Sequence, residues 1–359
     1  MTINLVGDLC LHNISQKCFT IEDKLARELA RADLNVANLE SPLSHREDAN
    51  HDSVVNLLGE PVYGPILKWF NVVSLANNHI LDYREAGYRD TIGFLRGHNI
   101  SYFGFGDDLA SSFQPLRLTV AGEKTAFIGA TRWNNATMAR AGTTPIHLKR
   151  LSQEIRQLKS DGYFTIVYPH WNYEYVDYPA PDYRSAAKKL IDAGADLVVA
   201  SHPHVVQGYE SYRGKMVFHS LGNFIFHQAV FEELSPVKND PRLKLSFVLQ
   251  IEVSGQQMDY SVIPIGSESD SVRMLNGAER DVFLQQLARI SQDLSRPGVY
   301  PRAFYLDALA ISNHTSRMLK MLARKKGLMS LLRTLPRAKK QDIKIKLASL
   351  RYGPGRREA

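Results

Sequence analysis

The chain reads as an α/β (α+β) protein in which mixed sheets are covered by helices. Three observations predict this. Short β-branched apolar runs recur along the chain, helix-spaced segments alternate with them, and two further stretches read as hairpins.

The elements follow in order. Thr2 to Val6 is a strand ending in Gly7-Asp8, and Ile21 to Arg31 is helix-spaced. Leu34 to Ala37 runs into Asn38-Leu39-Glu40, and Val72 to Ala76 into Asn77-Asn78-His79. A helix is predicted over Tyr83 to Arg96. Leu116 to Val120 and Thr125 to Ala130 flank an Ala-Gly-Glu-Lys turn and predict a hairpin. After a helix over Ile146 to Lys159, the strand Tyr163 to Tyr168 leads through Pro169 to His170-Trp171. The helix Tyr183 to Ala193 is closed by Gly194, in the place where a left-handed cap is expected. Asp196 to Ala200 ends in Ser201-His202-Pro203-His204, and Met216 to Leu221 in Gly222-Asn223-Phe224. Leu245 to Val253 and Met258 to Ile265 form the second hairpin. Beyond Ile265 the character changes: a helix over about 276–294, a loop from Arg296 to Pro301, then a helical, basic stretch over 305–350. This places a catalytic domain at 1–270 and a helical, basic extension at 271–359.

A chain of 359 residues with 44% apolar and 23% charged residues has the composition of an ordinary globular protein. Cys10 and Cys18 cannot build a disulfide framework, which points to a reducing compartment. The N-terminus begins directly with a strand pattern and has no basic or apolar leader, and no apolar run is long enough to span a bilayer. A cytoplasmic location is the expectation. The formal charge of +7 is uneven, because residues 317–359 hold 14 Lys/Arg against Asp342 and Glu358. That tail carries +12 and the rest of the chain −5.

The chemistry lies in where the apolar strands stop. Nearly every one runs into a residue able to bind a metal. In open α/β sheets, ligand sites gather beyond the carboxyl ends of the strands, so these residues would converge on one crevice. A mixed nitrogen and oxygen donor set of this kind suits Mn, Fe or Zn. Two divalent ions about 3.5–4 Å apart would need roughly this many ligands, with one carboxylate shared. His202 and His204 are two apart, and Pro203 stiffens an extended backbone, so both rings are expected on one side. Asp8 and Cys10 have the same relation. Taken singly, Asp8 and Asn78 could cap turns, Glu40 could be a solvated carboxylate and His170 a histidine at the core edge. Jointly, six loops supplying such residues outweigh these readings. His12, His45, His51, His98 and His147 stand in ordinary contexts, and His219 and His227 flank the last motif.

Gly7-Asp8, Asn38-Leu39-Glu40, Asn77-Asn78-His79 with Asp82, His170-Trp171 with Glu174-Tyr175, Gly194 to Val205 around His202-Pro203-His204, and Ser220-Leu221-Gly222-Asn223-Phe224 resemble, in order and spacing, the successive motifs of the CapA (capsule and poly-γ-glutamate synthesis) family of the calcineurin-like metallophosphoesterases. The resemblance covers residues 3–227. It implies a four-layer αββα sandwich of two mixed sheets with two divalent metal ions at its centre. Position by position, it implies Asp8 and His204 at the first ion, Glu40 where the superfamily has a bridging Asp, and Asn78, His170 and His202 at the second. It places His79 beside them as a general acid or oxyanion clamp, with Asp82 and Glu174 orienting these groups. Where classical members have Asp-x-His, this chain has Asp8-Leu9-Cys10, which weakens the first site unless Cys10 coordinates.

The expected function is metal-dependent hydrolysis of a phosphoester or related bond in capsule or exopolymer metabolism, on a phosphorylated or anionic polymer-related substrate. Amide chemistry in poly-γ-glutamate assembly and a non-catalytic assembly role are the alternatives. In the tail, apolar residues such as Met318, Leu322 and Leu332 interleave with Arg317, Lys320 and Arg324 at helical spacing. That pattern fits a helix on an anionic membrane face, and equally a cap packed on the core. No aromatic residues interleave with those charges, which argues against nucleic acid.

Overall fold

The computed structural model describes residues 1–14, 19–50, 55–227, 240–268 and 271–311. The expected basic tail, together with Cys18 and His51, lies outside the described residues.

Strands β1 (Thr2–Leu9), β2 (Thr20–Ile21), β3 (Leu34–Leu39), β4 (Val72–Ser74) and β5 (Ser101–Phe103) open the chain. The short β6 (Phe105–Gly106) pairs with β9 (Gly142–Thr143), and between them β7 (Leu116–Val120) and β8 (Glu123–Thr131) form the first hairpin. Then come β10 (Phe164–His170), β11 (Leu197–Val199), β12 (Val206–Tyr212), β13 (Lys215–Leu221) and β14 (Asn223–Ile225). The second hairpin, β15 (Leu245–Ser254) and β16 (Gln257–Ser267), precedes β17 (Ser271–Met274). The larger sheet has the order β2-β17-β16-β15-β1-β3-β4-β5, with β14 also paired to β1, and the smaller has β12-β13-β11-β10-β8-β7. Both mix parallel and antiparallel neighbours.

Three apolar cores separate four layers. Ile3, Leu5, Val36 and Leu249 of the larger sheet meet Phe127, Ile166, Leu197 and Phe218 of the smaller. On the outer face of the larger sheet, Val6, Leu9 and Val73 pack on helices α1 (Asp23–Arg31) and α2 (Arg84–Gly97) through Leu25, Leu29, Ile92 and Leu95. The short α3 (Leu109–Ser112) lies beside β6 and β9. On the outer face of the smaller sheet, Ile128, Val167 and Val198 pack on α4 (Leu148–Ser160) and α5 (Pro181–Asp192). The αββα sandwich implied by the resemblance is therefore present. Central strands β3 and β10 are buried along their whole length, as strands covered on both faces must be.

The element boundaries differ from expectation by one to three residues. Ile21 belongs to β2, so α1 starts at Asp23; α5 starts at Pro181 rather than Tyr183, a position where proline's missing N–H costs nothing. Gly194 does follow α5 in a left-handed conformation, φ 113°. The packed unit runs on past residue 270. β17 extends the larger sheet, and α6 (Gly277–Leu294) packs on β12 and β16. The expected loop Arg296 to Pro301 gives way at Tyr300 to a helix, α7, over 300–311, with Pro301 in its first turn. Tyr300, Phe304 and Ala308 of α7 bury against Val176, Ala180 and Leu294. Asp307 accepts the Asp177 amide at 2.7 Å, and the Tyr300 hydroxyl donates to the Pro179 carbonyl at 2.7 Å.

Two features join the sheets near the carboxyl ends of their strands. The chain passes from β13 in the smaller sheet to β14 in the larger through Gly222, whose carbonyl accepts the Asp8 amide at 3.1 Å. The approach is so close that any Cβ at position 7 would collide with that carbonyl, which makes Gly7 obligatory. Tyr168 of β10 donates its hydroxyl across the interface to the Val6 carbonyl.

Candidate metal centre

Each side chain of the centre is aimed by the strand that ends beneath it. In β1, the pairing with β3 shifts register between Leu5 and Asp8, and with β14 between Asp8 and Leu9. Val6 and Leu9 therefore both join the outer core, and Asp8 is left facing the other sheet. Glu40 follows β3, and Asn78 and His79 follow β4. From the opposite sheet, His170 closes β10, and His202 and His204 follow β11.

The six expected ligands come together. His170 Nε2 lies 2.8 Å from Asn78 Oδ1, 3.1 Å from His202 Nδ1 and 3.5 Å from Glu40 Oε1. His204 Nδ1 lies 3.4 Å from Asp8 Oδ2 and 3.0 Å from Asn223 Oδ1. Two groups have donor atoms all within 4.8 Å of one another: Asp8, Glu40 and His170, and Glu174, His202 and His204. The contacts of the expected ligand sets exist, but the donors cluster differently. Glu174, expected to orient other groups, joins a cluster directly. His79 Nδ1 lies 2.6 Å from Asp82 Oδ2, and that oxygen also accepts the Leu57 amide at 2.8 Å.

Two local expectations fail. His202 and His204 do not lie in extended backbone: their φ values are 101° and 59°, both left-handed. The chain turns because the His202 amide bonds Asp8 Oδ2 at 3.2 Å and the Pro203 carbonyl accepts the Tyr175 amide at 2.8 Å. Cys10 does not follow Asp8 either. The register shift turns it into an apolar cluster with Leu57, Tyr175, Val205 and Phe226, outside both donor groups. Burial there raises its thiol pKa, which disfavours the thiolate a metal would need.

Burial governs the electrostatics. It pushes the Glu40 carboxyl well up, reinforced by the neighbouring Asp8 charge. Burial would raise Asp8 too, but the hydrogen bond from His204 and the nearby imidazoles bring it below its ordinary value. Burial takes His170 down to about 3 and His202 well below its usual range, so both are neutral near pH 7, with lone pairs available. Burial acts downward on His204 as well, yet its bond to Asp8 outweighs that and raises it. At 3.8 Å from Asp8 and neutral, His170 is no salt-bridge partner.

The residues fit divalent cations on this structure's own terms. Glu40 Oε1 is buried with no hydrogen-bond partner, beside a second buried carboxylate. Two carboxylates and neutral imidazoles facing one pocket form a donor set that a cation completes.

Several participants escaped the sequence reading. Asn38, fully buried, donates to Asp8 Oδ1 at 2.8 Å and to Glu40, and its amide lies 3.3 Å from His170 Nδ1. Ser201 Oγ is 3.0 Å from the same His170 nitrogen. Trp133 sets its ring 4.4 Å from that of His202 and 6.0 Å from that of His170. Asn38 carried a signal, as a polar residue closing an apolar strand; Trp133 sits in a loop with none.

A four-layer αββα protein with a buried carboxylate–imidazole centre between its sheets is the class that fold and site define. Residues 2–228, more than half of the chain, match the family described as Bacterial capsule synthesis protein PGA_cap. The chain belongs to that family. It is 31% identical over 247 residues to the "Capsule biosynthesis protein CapA" of Bacillus anthracis, covering 64% of this chain and 60% of that protein. It is 31% identical over 244 residues to the "PGA biosynthesis protein CapA" of Bacillus subtilis (strain 168), covering 64% of each. With the "Probable polyglutamine synthesis accessory protein Rv0574c" of Mycobacterium tuberculosis it shares 24% identity over 262 residues, 69% of each chain. The match thus spans less than two-thirds of the first two relatives' length. Among the described residues no helix is long and apolar enough to cross a membrane.

Proposed function

We propose that this protein is a metal-dependent hydrolase of the metallophosphoesterase type, cleaving a phosphoester or related bond in capsule or exopolymer metabolism. One observation carries the reading: Asp8, Glu40, His170, His202 and His204, all buried, and the half-buried Asn78, from five separate strand ends, come together where a carboxylate oxygen lacks a partner. We assign these six as ligands of two divalent ions, with Glu174 as a further candidate. Such ions, when bound, supply an activated water and neutralise charge on the departing oxygen.

The chain's own residues do the rest. Asp82, fixed by the Leu57 amide, holds His79 through Nδ1 and leaves Nε2 to give a proton to the leaving oxygen or to steady an equatorial one. Asn38 spaces Asp8 from Glu40, and Asn223 and Ser201 set the tilt of His204 and His170. A phosphorylated or otherwise anionic polymer-related molecule is the proposed substrate, with the basic tail 317–359 as a peripheral anchor on the inner membrane face.

The relatives' names favour a second reading, in which the same centre serves synthesis of the polymer itself, as an amide-processing or accessory component. The deciding assay offers protein loaded with Mn, Fe, Zn or Co p-nitrophenyl phosphate, bis-p-nitrophenyl phosphate and γ-glutamyl peptides. Metal-dependent turnover of a phosphoester supports the first reading and cleavage of the peptides the amide one. Silence from a fully loaded sample leaves the accessory role.

A further inference from the structure

We infer that Trp133 is a positioning residue of the centre, whose indole fixes the ring of the proposed ligand His202 for a divalent ion. The inference rests on the assignment of His202 to the donor set, and not on which bond is cleaved.

The other histidines of the centre each have a polar support. Ser201 Oγ lies 3.0 Å from His170 Nδ1, Asn223 Oδ1 lies 3.0 Å from His204 Nδ1, and Asp82 Oδ2 lies 2.6 Å from His79 Nδ1. Metal-binding imidazoles are generally oriented in this way, through the nitrogen that the ion does not use. His202 is the exception. Among the described residues, its one ring-nitrogen partner is His170 Nε2, 3.1 Å from Nδ1 and itself a proposed donor. A contact between two donors gives no support once both turn to a cation. The residue also stands at φ 101°, on a turn after β11, so no regular element aims its side chain.

Trp133 supplies the missing support. β8 ends at Thr131, the register partner of His170, so the residues that follow emerge beside the donor set. The indole centre lies 4.4 Å from that of the His202 ring, tilted by 51°, and 6.0 Å from that of His170, edge-on at 71°. The indole is itself held. Its backbone carbonyl accepts hydrogen bonds from Asn135 Nδ2 at 3.2 Å and from Thr143 Oγ1. Asn134 Nδ2 ties the same loop to the Asn78 carbonyl at 2.8 Å, and the Arg132 guanidinium lies 4.5 Å from the indole centre. Ordinary core filling does not account for this placement. Trp133 belongs to none of the apolar clusters. Among the described residues its ring meets His202, His170 and Arg132. A large flat side chain spent on two donor imidazoles orients them by packing, and as an apolar cover it limits water at His202.

The test measures Mn binding by calorimetry on the full chain as wild type, W133L, W133F, H202A and the W133L H202A double variant. Melting in chelator checks that each is folded. W133L is expected to weaken Mn binding by about tenfold or more, and W133F, which keeps a flat ring, to recover part. Asp8, Glu40 and His170 remain in H202A and are expected to keep residual binding measurable. In that background W133L should add less than about a further twofold, because the ring it acts on is gone. W133L that binds Mn as wild type does, or that weakens binding equally with and without His202, overturns the inference. H202A that binds Mn as tightly as wild type removes His202 from the ligand set, and the inference falls with it. Weakened H202A beside unaffected W133L sinks the role of Trp133 alone and leaves the metal centre standing. Should W133L melt well below wild type in chelator, W133F with and without H202A decides by the same criterion.

Discussion

The backbone amide of His202 donates to the carboxylate of Asp8 at 3.2 Å across the interface between the two sheets, from a conformation with φ 101°. A non-glycine residue held there costs about 1–3 kcal/mol and persists only where its surroundings compel it. Asp8 therefore has two duties: it faces the imidazoles as a donor, and it holds the turn that presents two of them.

The buried pair Asp8 and Glu40 predicts opposite effects of one substitution. With chelator present, E40Q should melt above wild type, because burial and the neighbouring Asp8 disfavour an ionised carboxylate at this position and a neutral amide does not bear that cost. With Mn added, wild type should gain roughly 2.7 kcal/mol at a hundredfold excess over Kd, and E40Q little or nothing. Calorimetric melting with and without metal checks both; a metal response that survives in E40Q would remove Glu40 from the ligand set.

His79 should separate chemistry from metal binding. H79A is expected to lower kcat by about 10²–10⁴ while bound metal, measured by elemental analysis, stays unchanged. D82N should fall between wild type and H79A, since it keeps an acceptor for the Leu57 amide but not the charge that orients the ring.

Asp307 predicts a pH effect outside the donor set. Burial, with the Asp177 charge beside it and Arg242 opposing, raises its pKa from an ordinary 3.8 to about 6. The folded protein therefore holds this proton more tightly than the unfolded chain does. Its contribution to stability is present at acid pH and is lost as pH climbs from about 4 through 6, by at most about 3 kcal/mol. D307N can still accept the Asp177 amide and should lack that decline. Melting curves of the two proteins between pH 4 and 7 should converge toward acid for this contribution; parallel curves would refute it.

The basic tail yields a last expectation. Full-length protein should sediment with vesicles rich in anionic lipid at low salt, and a version ending at residue 316 should not. Sedimentation indifferent to both salt and truncation would dismiss the electrostatic anchor.

Much of the centre was legible because apolar runs are easy to see and their endings were Asp8, Glu40, His170 and the His202–His204 pair. A strand's end fixes where a side chain is, within a residue or two, and little more. The twist of His202 and His204 was not legible, because it comes from a carboxylate nearly two hundred residues away. Cys10 defeated alternation because a register shift in β1 changed which residues face inward. Glu174 was read as orienting the ligands because metal-bound histidines usually need such partners; the packing of its neighbouring residues against α7 had no signal in the sequence. α7 itself was partly missed because Pro301 reads as a breaker, while in a first turn it is harmless.

Three of the six proposed ligands hang from the larger sheet and three from the smaller, and the chain crosses between them at Gly222, against Gly7. The seam between the layers and the seat of the chemistry are one place. Sliding one sheet over the other by a single residue would tear the donor set in half, so this interface has no freedom to drift in the lineage. The outer helices carry no such burden, and diversity within the family should collect there.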